Sequence, residues 1–241
     1  MASFQGRLHW RDHFTQKLED EPRIEFENLH PAYDGVRPAE SSSSLLAAWR
    51  NGETGLPFVD ACMNALAATG WMNFRMRAML MAVASYHFWL PWRKPGEHLA
   101  RQFVDYEPGI HWPQVQMQSG TTGINTVRIY NPIKQGKDQD PGGAFIREWV
   151  PALKTVPREF LHEPWLWDGA PQILGKTYPY QVVDHLAAAR AARQKIWAVR
   201  SNSGFRASPD AIQTKHVSRK SGIKITGRKK GSKSIANGKR F

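Results

Sequence analysis

The sequence predicts an all-α fold, with one helical domain over residues 1–200 and a basic tail over residues 201–241. Apolar residues recur at helical spacing between Val59 and Thr69, and again between Trp71 and Leu90, which indicates two buried helices. No stretch shows the long apolar and polar alternation of a half-buried strand. With 241 residues, 41% of them hydrophobic, the chain can bury one sizeable core.

Shorter elements are expected before these two helices. An apolar stripe over Phe4–Phe14 is typical of the end of a helix, whereas the acidic, proline-containing segment Glu19–Tyr33 predicts an extended connection. Ser44 is predicted to cap a short helix over Leu45–Asn51. The glycines and the proline of residues 52–57 are expected to end that helix in a turn.

The second half of the chain is predicted to mix helices with one long loop. Residues Pro91–Gly96 interrupt the pattern and His98–Val104 resume it. The segment Asp105–Asn131 is rich in Gly, Thr, Gln and Pro, which predicts a functional loop, because its aromatic content argues against disorder. Further helices are predicted over Gly143–Val150 and Pro179–Arg200.

Positive charge is concentrated near the end of the chain. The formal net charge is +12, but ten of the 33 Lys and Arg residues lie between Ala211 and Phe241, where no acid occurs. Residues 1–210 therefore carry 23 basic and 21 acidic side chains and are nearly balanced. This composition predicts a disordered basic tail that binds nucleic acid.

Composition excludes several classes of protein. The single cysteine, Cys62, excludes an intramolecular disulfide and a thiolate metal cluster, and it fits a reducing compartment such as the cytoplasm. No apolar run is long enough for a membrane span, and no secretory signal is visible. Walker and Gly-x-Ser-x-Gly patterns are absent, and Asp138 and Asp140 fit a solvated turn better than a metal site. No metal is expected.

Seven short motifs occur in a fixed order and together resemble one known family. They are Trp10-Arg11, residues 49–61, residues 69–72, Val104-Asp105-Tyr106-Glu107, Arg128-Ile129-Tyr130-Asn131-Pro132, Phe145-Ile146-Arg147 and His162-Glu163-Pro164-Trp165. Each motif alone is weak evidence. In this order they are similar to the FAD-binding domain of DNA photolyases and cryptochromes, and the resemblance spans roughly residues 4–200.

The resemblance implies an FAD-binding helical domain and assigns residues to it. It places seven side chains around the cofactor: Arg11, Trp71, Phe74, Arg77, Asp105, Glu107 and His111. Arg77 is expected to pair with Asp105, since a buried guanidinium needs an acceptor. Glu107 stands where the family has an aspartate that reaches the flavin. His111 would lie near flavin N5, although a loop histidine with an ordinary hydrogen-bond partner is the alternative.

The same resemblance implies chemistry on DNA, but several lesion contacts differ. Trp10 is retained and would stack on the lesion, with Met117 and Phe74 on the apolar side of the lesion pocket. Four positions depart from the repair pattern: Arg7, Phe74, Ala78 and Met117. For electron transfer Trp92 matches one member of the family's tryptophan chain. Val115 replaces another, for which Trp89 or Trp112 could substitute.

Three functional hypotheses remain open at this level. The first is an FAD enzyme that repairs pyrimidine dimers in damaged DNA under blue light, as a carbon–carbon lyase. The second is a cryptochrome-like photoreceptor without repair. The third is a non-catalytic domain that binds nucleic acid through its tail. The family's antenna domain and phosphate-binding segment do not precede Trp10, so a separate chain that supplies this N-terminal half is an expected partner.

Overall fold

A computed structural model describes residues 2–202 and residue 205, and these form a helical domain. Residues 2–202 contain no strand beyond an isolated bridge between Leu174 and Tyr178. The α-helices are α1 (Ala2–Asp20), α2 (Ser43–Asn51), α3 (Pro57–Thr69), α4 (Phe74–Ala82), α5 (Arg93–Gln102), α6 (Pro108–Ser119), α7 (Pro132–Gln139), α8 (Ala144–Trp149) and α9 (His185–Ser201). Short 3-10 turns cover Pro22–Glu25, Pro31–Tyr33, Pro151–Leu153, Arg158–Phe160, Pro164–Leu166 and Ala170–Gln172. The predicted all-α class is confirmed.

Helix α3 lies at the centre of the core and is held by a buried carboxylate. Asp60 accepts hydrogen bonds from the backbone N–H of Thr54 (2.8 Å) and Gly55 (3.0 Å), and from the hydroxyls of Thr54 (2.6 Å) and Tyr178 (2.5 Å). Burial raises the pKa of Asp60 to about 6, while the Thr54, Tyr178 and Gly55 hydrogen bonds lower it. One side chain thus ties the turn before α3 to a loop far along the chain.

Helix α4 continues into a π-helical turn. The side chain of Asn73 caps α4 by accepting from the Met76 N–H at 3.1 Å, and the backbone changes to a π-helix over Val83–His87. The predicted helix over residues 71–90 is therefore shorter at both ends. Trp89 follows with φ of 53°, a left-handed conformation that is rare for a bulky residue.

Helix α6 corrects the expectation of a long loop over residues 105–131. Pro108 starts this helix and Gly120 ends it with φ of 74°, although Pro113 interrupts its hydrogen bonding. Gly109 lets α6 approach α1 closely, since a Cβ at Gly109 would lie 2.8 Å from Thr15 Cα. Tertiary packing of α6 against α1 and α4 outweighs the weak helical propensity of its sequence.

Other boundaries also differ from the prediction. Helix α1 runs to Asp20, so the first part of the expected extended segment is helical. Ser42, and not Ser44, caps α2. Helix α9 starts at His185 because Asp184 caps it, so residues 179–184 of the predicted helix lie before it. Helix α7 is an element that the sequence does not predict. Most of the predicted tail lies outside the described residues.

Candidate functional site

A cavity of about 430 Å³ lies between the start of α4, the segment after α5, and α6. Its volume falls within the range of small-molecule sites. It is lined by six of the seven residues that the sequence assigns to a cofactor: Trp71, Phe74, Arg77, Asp105, Glu107 and His111. Ala78, Met81, Leu99, Phe103 and Val115 add apolar walls. Residues from four separate segments of the chain therefore come together here.

Arg77 and Asp105 form the expected ion pair. Arg77 Nη2 lies 2.9 Å from both carboxylate oxygens of Asp105, and Arg77 Nε donates to the Met72 carbonyl at 2.6 Å. The guanidinium carbon also stands 4.0 Å from the centre of the Phe103 ring. This arginine is thus anchored by charge, backbone and ring together, which fixes one wall of the cavity.

Glu107 connects the cavity to α1. It occupies the N-cap position of α6, and its carboxylate oxygen lies 3.9 Å from Arg11 Nη2. Arg11 does not line the cavity itself and reaches it only through Glu107. At this distance, with both side chains partly exposed, the pair contributes little stability. It leaves the Arg11 guanidinium available for another anion.

His111 is buried in an aromatic surrounding. Its ring packs edge-on to Phe103, Tyr106 and Trp112, and its Nε2 lies 2.9 Å from the Gly96 carbonyl. Burial lowers the pKa of His111 to about 4, although the Gly96 hydrogen bond raises it and Arg77 lowers it further. The ring is therefore neutral at pH 7. Since a carbonyl can only accept, Nε2 carries the hydrogen and Nδ1 is an acceptor.

Gln114 is a cavity residue that the sequence does not reveal. Its Oε1 is buried and has no hydrogen-bond partner among the described residues. A buried acceptor without a donor costs free energy, so its position favours a ligand that brings an N–H or O–H group. Together with the apolar walls, this acceptor fits a flat heteroaromatic ring with N–H groups at its edge. Only the unsatisfied oxygen identifies it, and this is not visible in a sequence.

Aromatic side chains surround the mouth of the cavity. Trp71 is 59% exposed and Phe74 is 57% exposed, and both line the opening beside Tyr106. Large exposed rings next to an apolar cavity are typical of a binding surface. Trp10 and Met117, which the sequence assigns to a lesion pocket, are not among the lining residues. Trp10 lies on α1, 52% exposed, with its ring centre 5.7 Å from that of Phe14.

Two tryptophans connect the cavity with a second depression. The ring centre of Trp112 lies 5.0 Å from that of His111 and 6.0 Å from that of Trp92. Trp92 donates its indole N–H to Asn28 Oδ1 at 2.8 Å and lines a depression of about 560 Å³. Trp89, the other candidate, lies elsewhere: Arg37 and Lys195 stand 4.8 and 4.4 Å from its ring centre.

Comparison with known proteins agrees with this geometry. The sequence profile of the FAD binding domain of DNA photolyase matches residues 4–198, most of the chain. The chain belongs to the DNA photolyase FAD-binding family. The chain is 36% identical over 190 residues to a deoxyribodipyrimidine photo-lyase of Streptomyces griseus, which covers 78% of this chain and 41% of the relative.

Solved structures of the family share the fold. A bacterial class III photolyase from Agrobacterium tumefaciens superposes with a TM-score of 0.75 at 30% identity, over 83% of this chain and 43% of that one. A Synechocystis cryptochrome gives a TM-score of 0.73 at 28% identity, over 80% of this chain and 41% of that one. The chain thus spans about two fifths of the length of these photolyase-family proteins. FAD is the cofactor of the family.

Neither a metal site nor a membrane span occurs in the described part of this photolyase-family domain. Among the described residues, no three His, Cys, Asp or Glu side chains form a metal-binding group. None of the helices over residues 2–202 combines the length and apolar character that a membrane span needs. Cys62 is buried in α3, and burial, with Asp60 and Asp140, raises the pKa of its thiol. It is a core residue without nucleophilic character at neutral pH.

Proposed function

We propose that this chain binds FAD in the cavity between α4 and α6 and takes part in light-driven repair of pyrimidine dimers in DNA. The observation that carries the proposal is the combination of an anchored Arg77–Asp105 pair with an unpaired acceptor on Gln114 in one apolar cavity. When bound, FAD supplies light absorption and a transferable electron. The side chains of this chain hold and orient the cofactor and exclude water.

The side chains in and beside the cavity have distinct tasks. Arg77 and Asp105 keep a rigid polar wall, and Gln114 accepts a hydrogen bond from the ring edge. Neutral His111 offers an acceptor at Nδ1 and does not place a positive charge beside the ring. Arg11, with only a long contact to Glu107, is suited to contact a phosphate. The aromatic side chains around the mouth exclude water.

The exposed rings at the mouth support a contact with DNA. A pyrimidine dimer must leave the duplex to reach a cavity, and because it pairs poorly with the opposite strand it does so at low cost. Trp71 and Phe74 present large apolar surfaces for stacking, and Trp10 on α1 adds a third. Met117 contributes to the lesion pocket in this proposal. The altered positions Arg7, Phe74, Ala78 and Met117 favour a lesion contact that relies on shape and stacking.

Electron supply from the surface is assigned to Trp112 and Trp92. The two rings stand in sequence between His111 at the cavity and the second depression. Trp89 is a poor substitute, because the positive charges of Arg37 and Lys195 at its faces oppose removal of an electron. We therefore assign electron transfer to Trp92 through Trp112.

A second polypeptide is part of the proposal. Phe4 and Leu8 on α1 are exposed apolar side chains, close in sequence to Trp10 and Arg11. An N-terminal half carried on a separate chain would cover this face and complete the phosphate site, as a helix start with free N–H groups can do. The proposed location is the cytoplasm, where both the DNA and a reduced, unpaired Cys62 are expected.

Two other functions remain as alternatives. A photoreceptor without repair is favoured by the four altered lesion positions, since Phe74 and Ala78 are neither acids nor bases. A non-catalytic domain that binds nucleic acid through its tail is favoured by the ten basic residues after Ala211. The three proposals differ in flavin content and in light dependence, so they can be separated experimentally.

The test uses the purified full chain, alone and with the N-terminal half of a relative supplied in trans. Visible absorption measures bound FAD, and ultraviolet-irradiated oligonucleotides then measure loss of dimers in blue light and in darkness. We expect stoichiometric FAD and light-dependent repair. FAD without repair under reducing conditions indicates the photoreceptor. A colourless protein that refuses FAD in both arms excludes the proposal and leaves the non-catalytic domain.

A further inference from the structure

Helix α9 has two faces with different roles. Its inner face packs on the π-helical turn through Ala192 and Ile196, which are both 2% exposed. Its outer face carries Arg190, Arg193 and Trp197, at intervals of three and four residues, so that the three side chains share one stripe. Trp197 is 65% exposed, and no ring contact involves it among the described residues. The Trp197 indole is therefore accessible to a partner.

The basic residues of α9 also differ between the two faces: those on the inner face contact the rest of the described domain, and those on the outer face do not. Arg200 donates to the Tyr33 hydroxyl at 3.0 Å and to the Asn125 carbonyl at 2.7 Å, and Lys195 stands over the Trp89 ring. These two cations hold α9 in place. Arg190 and Arg193 are exposed, and neither forms an ion pair with any described residue. Their charges remain available to an external anion.

The charged side chains within α9 are all basic. Helix α9 contains no acid between His185 and Ser201. Asp184, at its N-terminus, is engaged in capping: its carboxylate accepts from the Leu186 and Ala187 N–H groups, and these bonds, with Arg190 and His185, lower its pKa. Beyond α9, the sequence continues toward ten more basic residues without an acid after Ala211. An anionic partner would therefore be attracted to the outer face.

We propose that the outer face of α9 is a binding site for single-stranded nucleic acid, separate from the cavity. An exposed indole offers a stacking surface for one base, and the two guanidinium groups one and two turns before it contact the phosphates beside that base. None of the residues that line the cavity belongs to α9. The site thus tethers the protein to unpaired strands independently of the flavin and of light.

The composition of the stripe favours nucleic acid over a membrane or a protein partner. An interfacial helix buries a continuous apolar face, whereas here Leu186 and Trp197 are separated by arginines and lie three turns apart. A protein interface of standard strength needs a packed apolar centre, which one ring does not provide. A single ring flanked by guanidinium groups is the pattern expected for a base between two phosphates.

The test measures binding of a fluorescent oligothymidylate to the full chain in darkness, across a range of salt concentrations. Trp197→Ala should weaken binding about tenfold, as expected when one base no longer stacks, while Trp197→Phe should keep most of it. Arg190→Gln combined with Arg193→Gln should reduce the slope of log K against log salt by about 1.4, because each phosphate that is no longer neutralised lowers it by about 0.7.

Matched controls separate this site from general basicity. Arg50→Gln with Arg101→Gln removes two exposed arginines from other helices, and Leu186→Ala removes an exposed apolar side chain from the same face. Both should leave affinity and salt slope unchanged. Equal binding of the oligonucleotide by wild type and Trp197→Ala would overturn the proposal. It would also be overturned if the protein bound phosphatidylglycerol vesicles through Trp197 but did not bind the oligonucleotide. Because no flavin is needed, failure here leaves the proposed function untouched.

Discussion

Arg77 shows how one residue can satisfy a partly buried charge in several ways at once. It meets the Asp105 carboxylate, the Met72 carbonyl and the Phe103 ring. Each contact contributes little free energy because it is partly exposed to water, but together the contacts restrict the side chain to one position. Preorganisation of this kind favours ligand binding, since little side-chain entropy remains to be lost when the ligand arrives.

Replacing this arginine should therefore affect cofactor retention. We expect Arg77→Ala to weaken FAD binding by about tenfold, the loss of one charge-assisted interaction, because Asp105 loses its partner and the wall loses its position. Arg75→Ala is the matched control, since Arg75 is exposed on the same helix. Fluorescence titration of apoprotein with FAD measures both. Equal affinities of the two variants would show that the ion pair does not serve the cofactor.

Gln114 allows a prediction with opposite signs in two measurements. Its buried Oε1 lacks a partner, so Gln114→Leu should leave the unfolding free energy of the apoprotein unchanged or raise it by about 1 kcal/mol. The same change should weaken FAD binding by about tenfold or more, since the ring edge would lose its acceptor. Urea unfolding of apoprotein and FAD titration test this pair of effects. If Gln114→Leu lowered both the unfolding free energy and the affinity for FAD, this would contradict the assigned role.

At the scale of elements, α6 determines the shape of the cavity. It carries His111, Gln114 and Val115 into the cavity and packs its other side against α1. That packing depends on Gly109, where the two helices approach closely around Thr15. A helix with an internal proline and two glycines in or next to it is stable only because of such contacts.

A methyl group at this crossing should therefore affect both stability and the cofactor site. Gly109→Ala would bring a Cβ within 2.8 Å of Thr15 Cα, and we expect a loss of about 1–3 kcal/mol in unfolding free energy together with weaker FAD binding. Gly6→Ala in α1 is the control. It meets nothing within 4 Å and should stabilise the protein by up to about 1 kcal/mol. Thermal unfolding measures whether each substitution lowers or raises the stability of the protein.

The comparison of α6 with α3 shows what the sequence can predict. The apolar spacing of α3 and its closing Gly70 are local signals, and they predict that helix to within two residues. Where α6 lies, the sequence predicts a loop, because Pro113 and Gly109 are breakers locally, and Thr15, which makes Gly109 useful, lies far away in the chain. The Arg77–Asp105 pair follows from motif order. The role of Gln114 cannot be predicted from the sequence, since it depends on a buried side-chain oxygen without a hydrogen-bond partner.

At the scale of the whole molecule, buried ionisable groups make stability depend on pH. Burial lowers the pKa of three histidines, His87, His98 and His111, to about 4. Neighbouring charges lower the pKa values of His87 and His98 further, while the Gly96 hydrogen bond raises that of His111 and Arg77 lowers it. All three are protonated in the unfolded chain below pH 6.5 but in the folded protein only near pH 4. Asp60 acts in the opposite direction, because its raised pKa lets the folded state take up a proton near pH 6.

The sum of these effects predicts that the folded protein loses stability in mild acid. Between pH 6 and pH 4.5 the unfolded chain binds about three extra protons on these histidines and one fewer on Asp60, so the unfolding free energy should fall by about 2 kcal/mol for each pH unit. Urea unfolding of the apoprotein at several pH values measures this slope. His87→Leu should reduce this slope by about half, because it removes one histidine contribution while those of His98, His111 and Asp60 remain. Both ring nitrogens of His87 lack partners, so the substitution breaks no hydrogen bond. His9→Leu, at an exposed position on α1, should leave the slope unchanged. An undiminished slope in His87→Leu would mean that other groups control the acid response.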